Sequence, residues 1–430
     1  MEILILQLFL DGKWIDAATL DFSHPELGVR GPCDFKYDFD YFKTRIGTAK
    51  PNEAISVHLP VGFGPTGSKR WPFFLDDIRP MGSARDVWCN RFNIPPSVES
   101  DFRLLREATI APIGNMRIKQ AVPDKLSPPA RFPRQAVIDR EHEFLEYAVA
   151  HGAQVGGATG AGGDAPKLLL RADEDDQIWI DTWQDEPANT DRHYLVKFAR
   201  GNRTERDKNI LRSEYIYYRV LAELGFEVTR PGEMRLEESE NGVSLWLPRF
   251  DVEHRSAGEF RFGVESIYSI VKAEAGDWLK HGDILKALRP LMADRPWRET
   301  LLEYLQRDLL NLVFGNSDNH GRNTALLKTD MTIQLAPIYD FAPMKMDPEG
   351  VTRTTRWAEF ESGPQIDWAA LLKSFDVEED YLRSGLRTLA QQLQHLPQML
   401  GEFGLPDETM NFPAMGLNRT GQKLREWGLL

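Results

Sequence analysis

Cysteine is scarce in this chain of 430 residues, and the chain also lacks a surplus of positive charge and long apolar runs. Cys33 and Cys89 are the only cysteines, and their spacing fits neither a metal site nor a disulfide framework, which suits a reducing cytoplasm. The net charge of −13 excludes a basic face of domain size for nucleic acid. The apolar start, MEILILQLFL, is too short to cross a bilayer, so we expect a strand there, with no targeting segment and no membrane anchor.

The most informative stretch covers residues 311–344, NLVFGNSDNHGRNTALLKTDMTIQLAPIYDFAPM. Asp318 and Asn323 lie five residues apart on a predicted loop, and Asp340 follows a predicted hairpin that would fold it back beside them. Phosphoryl transfer from Mg-ATP needs such a set, because one Asp orients the attacking hydroxyl while an Asn and a second Asp hold magnesium. Taken singly, these are ordinary turn residues. Their joint spacing is that of the protein-kinase catalytic loop and its later Asp-Phe-Gly, which here is Asp-Phe-Ala.

The order Asp-Asn-His-Gly-Arg-Asn at residues 318–323, with His after Asp rather than before it, resembles the HipA family. These proteins are bacterial serine/threonine kinases that act as toxins of toxin–antitoxin pairs. The resemblance implies that Asp318 takes the proton of the acceptor hydroxyl, and that Asn323 and Asp340 hold Mg²⁺. It implies that His320 supports Asp318 by hydrogen bonding, although a structural histidine bracing the loop would have almost the same geometry.

Two further segments predict a nucleotide site. Lys197 lies in a predicted strand and Glu214 on a predicted helix over 209–224, in the order and approximate spacing of the kinase ion pair that holds the α- and β-phosphates. Considered alone, a lysine in a predicted strand is an edge or surface residue as often as it is a functional residue. The glycine-rich run 152–167 resembles the phosphate loop of the family, since glycine lets backbone N–H groups approach phosphate. A flexible linker is the alternative for this run.

The resemblance also indicates a hinge between lobes at 244–251, and it leaves the regulation of the chain open. In the family, a serine of the phosphate loop is often autophosphorylated; here Thr159 is the only hydroxyl in the run, and neither its modification nor that of Thr354 follows from the sequence. The residues that we expect to contact the nucleotide are Gly160, Gly162, Gly163, Lys167, Lys197, Glu214, Phe250 and Tyr339.

The predicted fold is α+β, two-lobed and protein-kinase-like. We expect an N-terminal β-rich accessory subdomain over 1–138, which in the family is a small barrel plus helices. An ATP-binding, N-lobe-like region follows over 139–257, and a mostly helical C-lobe with the catalytic loop over 258–430. Within the first part, Asp11-Gly12 predicts a hairpin turn, and the alternation at 55–59 predicts a half-buried strand.

These observations predict an ATP- and Mg²⁺-dependent serine/threonine protein kinase in the cytoplasm. The resemblance suggests a translation-related target such as an aminoacyl-tRNA synthetase. It also suggests a small helix-turn-helix antitoxin through which the chain meets DNA only indirectly. Two alternatives stay open. A small-molecule phosphotransferase uses the same metal and base, but its His usually precedes the Asp. A catalytically silent antitoxin-binding module would not need Lys197, Asp318, Asn323 and Asp340 together.

Overall fold

The structure is a computed structural model that describes residues 1–109, 113–122, 129–150, 167–181, 189–200, 203–240, 242–256, 258–363 and 365–430. Packing divides the chain into two compact units. Unit 1 comprises Met1–Arg200, Glu237–Glu274 and Ala325–Ala336, and unit 2 comprises Gly201–Leu236, Ala275–Thr324 and Pro337–Leu430. The division of the sequence into three successive parts stays a prediction.

The strands, in chain order, are β1 (Glu2–Leu10), β2 (Lys13–Phe22), β3 (Cys33–Tyr37), β4 (Thr66–Ser68), β5 (Met116–Ile118), β6 (Phe132–Pro133), β7 (Lys167–Ala172), β8 (Gln177–Ile180), β9 (Arg192–Phe198), β10 (Arg235–Ser239), β11 (Gly242–Pro248), β12 (Val252–Arg255), β13 (Gly258–Arg261), β14 (Gly263–Ser266), β15 (Leu279–Lys280), β16 (Ala325–Lys328), β17 (Ile333–Leu335), β18 (Thr355–Arg356), β19 (Glu361–Ser362) and β20 (Gln365–Ile366). The α-helices are α1 (Phe39–Arg45), α2 (Leu75–Ile78), α3 (Gly82–Phe92), α4 (Asp101–Glu107), α5 (Arg134–Ile138), α6 (His142–Ala150), α7 (Glu205–Glu223), α8 (Ile267–Val271), α9 (His281–Leu288), α10 (Trp297–Phe314), α11 (Trp368–Lys373), α12 (Glu379–Leu393), α13 (Leu396–Glu402), α14 (Asp407–Asn411) and α15 (Thr420–Glu426).

The N-terminal sheet of unit 1 has the strand order β4-β3-β2-β1-β5. The predicted hairpin is confirmed: β1 and β2 pair around Asp11 and Gly12, whose φ angles of 51° and 76° are the left-handed values that a tight hairpin turn requires. Alternate residues of β1 and β2, including Leu6 and Leu20, enter an apolar core with Trp71. The resemblance implied a small barrel here, and among the described residues β4 and β5 form the two edges of the sheet.

The second sheet of unit 1 has the strand order β10-β11-β9-β7-β8-β6, and its two faces differ in chemistry. One face packs on α5 and α6 through residues such as Leu170, Val196 and Phe144. Because side chains alternate along a strand, the residues between these core positions lie on the opposite face. On β7 and β9 that face carries Lys167, Leu169, Arg171, His193, Leu195 and Lys197.

The prediction of a strand at 55–59 is wrong, since only an isolated bridge joins Ser56 and Leu59 there. Side chains from distant residues take up the backbone groups that a ladder would use. The Glu265 carboxylate accepts the Val57 N–H at 2.9 Å and the Ser56 hydroxyl at 2.6 Å. Lys328 Nζ donates to the carbonyls of Ala54 and Ile55 at 3.0 and 2.9 Å. The apolar alternation is present, but the segment is fixed as a loop.

Unit 2 is mostly helical, as predicted. α10 packs against α12. α7 begins at a capping box in which Thr204 and Asp207 satisfy each other's backbone N–H groups. Gly385 of α12 lies against Leu302 of α10 so closely that a Cβ at 385 would come within 2.5 Å of the leucine side chain. Across the described ranges, every helix is too short or too polar to span a membrane.

Candidate active site

The loop that carries Asp318 begins where α10 ends. Gly315 closes the helix with φ 70°, and a Cβ there would lie 2.6 Å from Met415 Cε and Sδ. Both the conformation and the contact therefore require glycine. The N–H groups of Gly315 and Asn316 donate to the Asn311 carbonyl, so the last turn of α10 is satisfied before the loop begins. The helix thus sets the starting direction of the loop.

Amide side chains fix the loop internally. Asn316 Nδ2 donates to Asn311 Oδ1 at 2.9 Å, and Asn316 Oδ1 accepts the Asp318 N–H at 3.2 Å. Asn323 Nδ2 donates to the Asp318 carbonyl at 2.8 Å, and its N–H donates to the His320 carbonyl at 2.9 Å. The structure therefore brings Asp318, His320 and Asn323 together, as predicted.

His320 has a defined tautomer. Its Nδ1 accepts the N–H of Arg322 at 3.2 Å, so in the neutral ring the proton lies on Nε2. Nε2 lies 3.4 Å from Asp318 Oδ1. This distance is longer than that of a good hydrogen bond. The ring therefore braces the loop through the Arg322 N–H and lies beside the Asp318 carboxylate.

A second set of contacts within unit 2 holds the segment around Asp340. Asp340 adopts φ 51°, a left-handed conformation that a non-glycine residue adopts only when its surroundings impose it. The Tyr339 hydroxyl donates to the Arg322 carbonyl of the loop that carries Asp318. The Phe341 N–H donates to the Tyr218 hydroxyl at 3.4 Å, and that hydroxyl donates to Glu214 Oε1 at 3.0 Å.

Glu214 is therefore linked to the Asp340 segment through Tyr218, a residue that sequence reasoning missed. Burial, followed by the charges of Glu214 and Asp340, raises the pKa of Tyr218 well above its usual value. The hydroxyl thus keeps its proton and donates. The ring of Phe341 packs between those of Tyr217 and Phe314, with centroids 6.0 and 5.4 Å away. The four-residue step from Glu214 to Tyr218 along a helix was the available signal.

Asn319 is the second residue that sequence reasoning missed. Its Nδ2 donates to the Thr355 carbonyl at 2.8 Å, and its Oδ1 accepts the N–H groups of Thr354 and Thr355 at 3.1 and 3.2 Å. The Thr355 hydroxyl returns a bond to the Asn319 carbonyl at 2.7 Å. One side chain thus holds the segment after Asp340 against the catalytic loop. The segment is further held by Arg353, which forms paired bonds of 3.1 Å with buried Asp308.

The residues of the loop fit a magnesium ion. Asn323 Oδ1 is buried and has no hydrogen-bond partner among the described residues, while the nitrogen of the same amide is fixed by the Asp318 carbonyl. An oriented amide oxygen and a carboxylate are ligands that Mg²⁺ takes, together with waters and phosphate oxygens. Asn323 and Asp340 are the residues that would hold the ion.

In unit 1, Lys197 lies directly opposite Lys167 on the neighbouring strand. Lys197 is buried and Lys167 is half-buried, and both project from the face that turns away from α5 and α6. Lysine is a residue type that binds phosphate. Gly160, Gly162 and Gly163 lie outside the described residues.

The hinge-like segment ends in a buried charge network of seven residues: Arg171, Asp181, His193, Arg249, Asp251, Glu259 and Arg261. Arg249 Nη1 donates to Asp181 Oδ2 at 2.9 Å, and Arg249 Nε donates to Asp251 Oδ1 at 3.0 Å. The Gly114 N–H donates to Asp251 Oδ2 at 2.6 Å. Phe250, which lies between Arg249 and Asp251 in the sequence, is half-buried. The network fixes the backbone from which Phe250 projects.

The model of the HipA-like C-terminal domain matches residues 159–396, more than half of the chain. The chain belongs to the HipA-like family. This family resemblance was the one predicted from residues 318–323 and 340. A curated relative, Toxin YjjJ of Escherichia coli strain K12, is 21% identical over 367 residues, covering 79% of this chain and 76% of the relative.

A solved structure shows the fold of this HipA-like chain. A chain of the Shewanella oneidensis MR-1 toxin–antitoxin complex of HipA, HipB and operator DNA matches with a TM-score of 0.68 and 16% identity, covering 99% of this chain and 97% of that one. The Helicobacter pylori proinflammatory kinase CtkA matches with a TM-score of 0.41 and 13% identity, covering 63% of this chain and 92% of that one. The predicted two-lobed, kinase-like α+β fold is confirmed.

Proposed function

We propose that this HipA-like chain is an ATP-dependent serine/threonine protein kinase and the toxin of a toxin–antitoxin pair. The observation that carries the proposal is the catalytic loop, in which Asp318 and an oriented, unpartnered Asn323 oxygen lie together. The Asp340 segment is tied to the same loop through Tyr339. These are the carboxylates and the amide that phosphoryl transfer requires.

In the proposed reaction, Asp318 accepts a hydrogen bond from the Ser or Thr hydroxyl and takes its proton as the oxygen attacks the γ-phosphorus. The bond from that phosphorus to the bridging oxygen breaks, and ADP leaves. His320 would help to position the Asp318 carboxylate, since its Nε2 lies 3.4 Å from Asp318 Oδ1. Bound Mg²⁺ would neutralise charge on the phosphates, with Asn323 and Asp340 as its protein ligands.

The nucleotide phosphates would lie against the face of unit 1 that carries Lys167 and Lys197. Both lysines project from that face, and a lysine ammonium group is a common ligand of phosphate. We propose that Gly160, Gly162 and Gly163 supply backbone N–H groups, and that Phe250 and Tyr339 line the nucleotide site. Glu214 acts through Tyr218 to position the Asp340 segment.

The partners are proposed by analogy. The related Shewanella protein was solved with HipB and operator DNA, which supports a small helix-turn-helix antitoxin for this chain. The net charge of −13 favours a division in which the antitoxin supplies the phosphate contacts with DNA. Steeply salt-dependent binding of duplex DNA by the isolated chain would contradict this division. A translation-related protein in the cytoplasm, such as an aminoacyl-tRNA synthetase, is the proposed target.

The decisive experiment compares two aspartates with different tasks. Asp318→Asn should leave Mg-ATP affinity near normal and lower kcat by about 10²–10⁴-fold, since it removes the positioned base. Asp340→Asn should instead weaken Mg-ATP binding, with partial rescue by excess Mg²⁺. Labelled ATP with a whole-cell lysate measures transfer, and calorimetry measures nucleotide affinity.

Asp376→Asn is the matched control, because its side chain is 92% exposed in the same unit. It should change neither quantity. Near-normal transfer by Asp318→Asn would refute the catalytic assignment. Label on aminoglycoside- or choline-like alcohols rather than on protein would favour the small-molecule phosphotransferase. No transfer and no ATP binding by the native chain would favour the antitoxin-binding module.

A further inference from the structure

Three cationic side chains of unit 2 form a group near Gly315, where the loop that carries Asp318 begins. We define Lys345, Arg419 and Lys423 as the cationic cluster. The Lys345 N–H donates to the carbonyl of Gly315, the residue that opens the loop, at 3.1 Å. Lys423, on α15, donates through Nζ to the Met415 carbonyl at 2.8 Å. The cluster thus reaches the loop both through the backbone and through Met415.

Two left-handed glycines place these cations close together. A Cβ at Gly416, where φ is 58°, would lie 2.8 Å from Lys423 Nζ and 3.8 Å from Arg419 Nη2. A Cβ at Gly315 would lie 3.7 Å from Lys345 Cδ and 2.6 Å from the Met415 side chain. The stem of Lys345 and the head group of Lys423 therefore flank the same methionine. The missing Cβ atom of Gly416 leaves space next to two of the positive head groups.

The cluster differs from its surroundings because it lacks a carboxylate. In the part of the chain that the structure describes, Lys345, Arg419 and Lys423 make no ion pair with Asp or Glu. The adjacent Arg353, by contrast, pairs with Asp308 at 3.1 Å and with Glu361 at 3.4 Å. In a chain with a net charge of −13, an unmatched group of three cations is not explained by composition.

Burial and mutual repulsion both act on the lysines. Burial lowers the pKa of Lys423 to about 8, with further lowering by Lys345 and Arg419. Burial, and then the charge of Arg353, lowers the pKa of Lys345. Lysine and arginine head groups held together without a counter-charge are the usual means of binding phosphate. The arrangement is costly when empty and is relieved by a dianion.

We propose that Lys345, Arg419 and Lys423 form a binding site for a tetrahedral dianion of the phosphate class, separate from the nucleotide site. The ligand is either free phosphate or the phosphate ester of a phosphorylated Ser or Thr side chain. Both offer the same oxygens to the ammonium and guanidinium groups. The site goes beyond the proposed kinase activity, and its occupancy is measured without any phosphotransfer.

Binding should be coupled to proton uptake. At pH 9 the free site holds Lys423 mostly neutral, because its pKa is lowered to about 8 by burial, Lys345 and Arg419. A dianion favours the charged ammonium, so binding draws a proton. Sulfate is a suitable probe because it does not titrate in this range. Its affinity for the full chain should fall by about tenfold between pH 7 and 9, and Lys423→Gln should flatten that dependence.

The test measures sulfate and phosphate binding to the full chain by calorimetry and by the thermal unfolding midpoint. Chloride at matched ionic strength is the reference. Both dianions should raise the midpoint, and Arg419→Gln and Lys423→Gln should each weaken binding by about tenfold. Arg419 is exposed, so its replacement leaves the packing intact even if Lys423→Gln does not fold. Lys373→Gln, an exposed lysine of α11, is the charge-matched control and should bind normally.

A phosphoserine peptide and its unphosphorylated form identify the source of the ligand. Tighter binding of the phosphopeptide than of inorganic phosphate indicates a phosphorylated side chain, and the reverse order indicates a free ion. An equal response to chloride would overturn the proposal. So would dianion binding that survives Arg419→Gln and Lys423→Gln but is lost in Lys197→Gln, since that result assigns the binding to unit 1. These binding measurements do not depend on phosphotransfer, so each outcome can be interpreted even if the kinase assay fails.

Discussion

The two units each contain a group of charged side chains, and the groups differ in balance. In the charge network of unit 1, every arginine meets a carboxylate, and both nitrogens of His193 do so as well, at 2.8 and 3.1 Å. In the cationic cluster of unit 2, three positive groups have no carboxylate among the described residues. Balanced charge stabilises a fold, whereas unbalanced charge indicates a ligand.

Two carboxylates of unit 1 stay ionised although they are buried. Burial opposes ionisation, but Arg171 and His193 hold the pKa of Asp181 well below its usual range. Arg261 and His193 likewise lower the pKa of Glu259 against the effect of burial. The three arginines of the network are thus matched by three carboxylates, and the His193 ring lies within hydrogen-bond distance of two of them.

The largest expected effect comes from unbalancing the charge network. Asp181→Asn keeps the shape of the side chain but leaves Arg171, Arg249 and His193 with one carboxylate fewer. We expect it to lower the free energy of unfolding by about 3–5 kcal/mol, because buried cations lose their partner. Urea unfolding measures the change, and exposed Asp175→Asn is the control. A loss below about 1 kcal/mol would show that the balance of unit 1 is not structural.

Unit 2 also contains a balanced cluster, in which Arg353 pairs with Asp308 beside His281. His281 stacks on Trp357 at 4.3 Å and lies beside Asp308, and burial lowers its pKa to about 4. The unfolded chain binds the proton first as pH falls from 6.5 to 4, so the free energy of unfolding decreases over that window. The decrease is up to about 3 kcal/mol for this residue, at 1.36 kcal/mol per pKa unit.

Denaturant unfolding at pH 7 and 4.5, followed by tryptophan fluorescence, measures this acid sensitivity. His281→Gln should remove most of it, because glutamine does not titrate. His142→Gln is the control, since the imidazole of His142 is 83% exposed. An unchanged pH dependence in His281→Gln would contradict the assignment to this ring.

The smallest expected effect has the opposite sign. Lys423→Met removes one cation from the unbalanced cluster and keeps the length of the buried stem. Without phosphate or sulfate, we expect the free energy of unfolding to stay equal or to rise by as much as about 1 kcal/mol, since repulsion falls as one hydrogen bond is lost. Exposed Lys373→Met is the control. Destabilisation by about 2 kcal/mol or more would place Lys423 with the structural charges.

The sequence was most informative where chemistry and spacing are local. The step from Asp318 to Asn323 predicted that both residues lie in one loop, and there they bond to each other. The strand predicted at 55–59 failed since its backbone partners, Glu265 and Lys328, lie far along the chain. The sequence of 55–59 cannot show that distant side chains bind its backbone, because Glu265 and Lys328 are positioned by the sheet of β14 and β16.

Asn319 and the cationic cluster were missed for a related reason. An asparagine in an Asn-Asp-Gly loop looks like a turn residue, and its bonds to Thr354 and Thr355 exist only after the segment beyond Asp340 has folded back. Lys345 and Lys423 come from distant parts of the chain and meet only around Met415. Charge without a partner is a property of the folded chain, and a sequence shows only the number of charges.

The double contact of Asn319 constrains how relatives of this chain can differ in length. Asn316 and Asn323 bond to the backbone of Asp318, and Asn319 bonds to the backbone of Thr355, so one inserted residue within 316–323 would break several of these bonds at once. Residues 348–350 are exposed and lie before the fixed Thr354. We therefore expect insertions and deletions among HipA-like chains to collect near 348–350 and to avoid 316–323. An alignment in which the catalytic loop varied in length while 348–350 did not would contradict this.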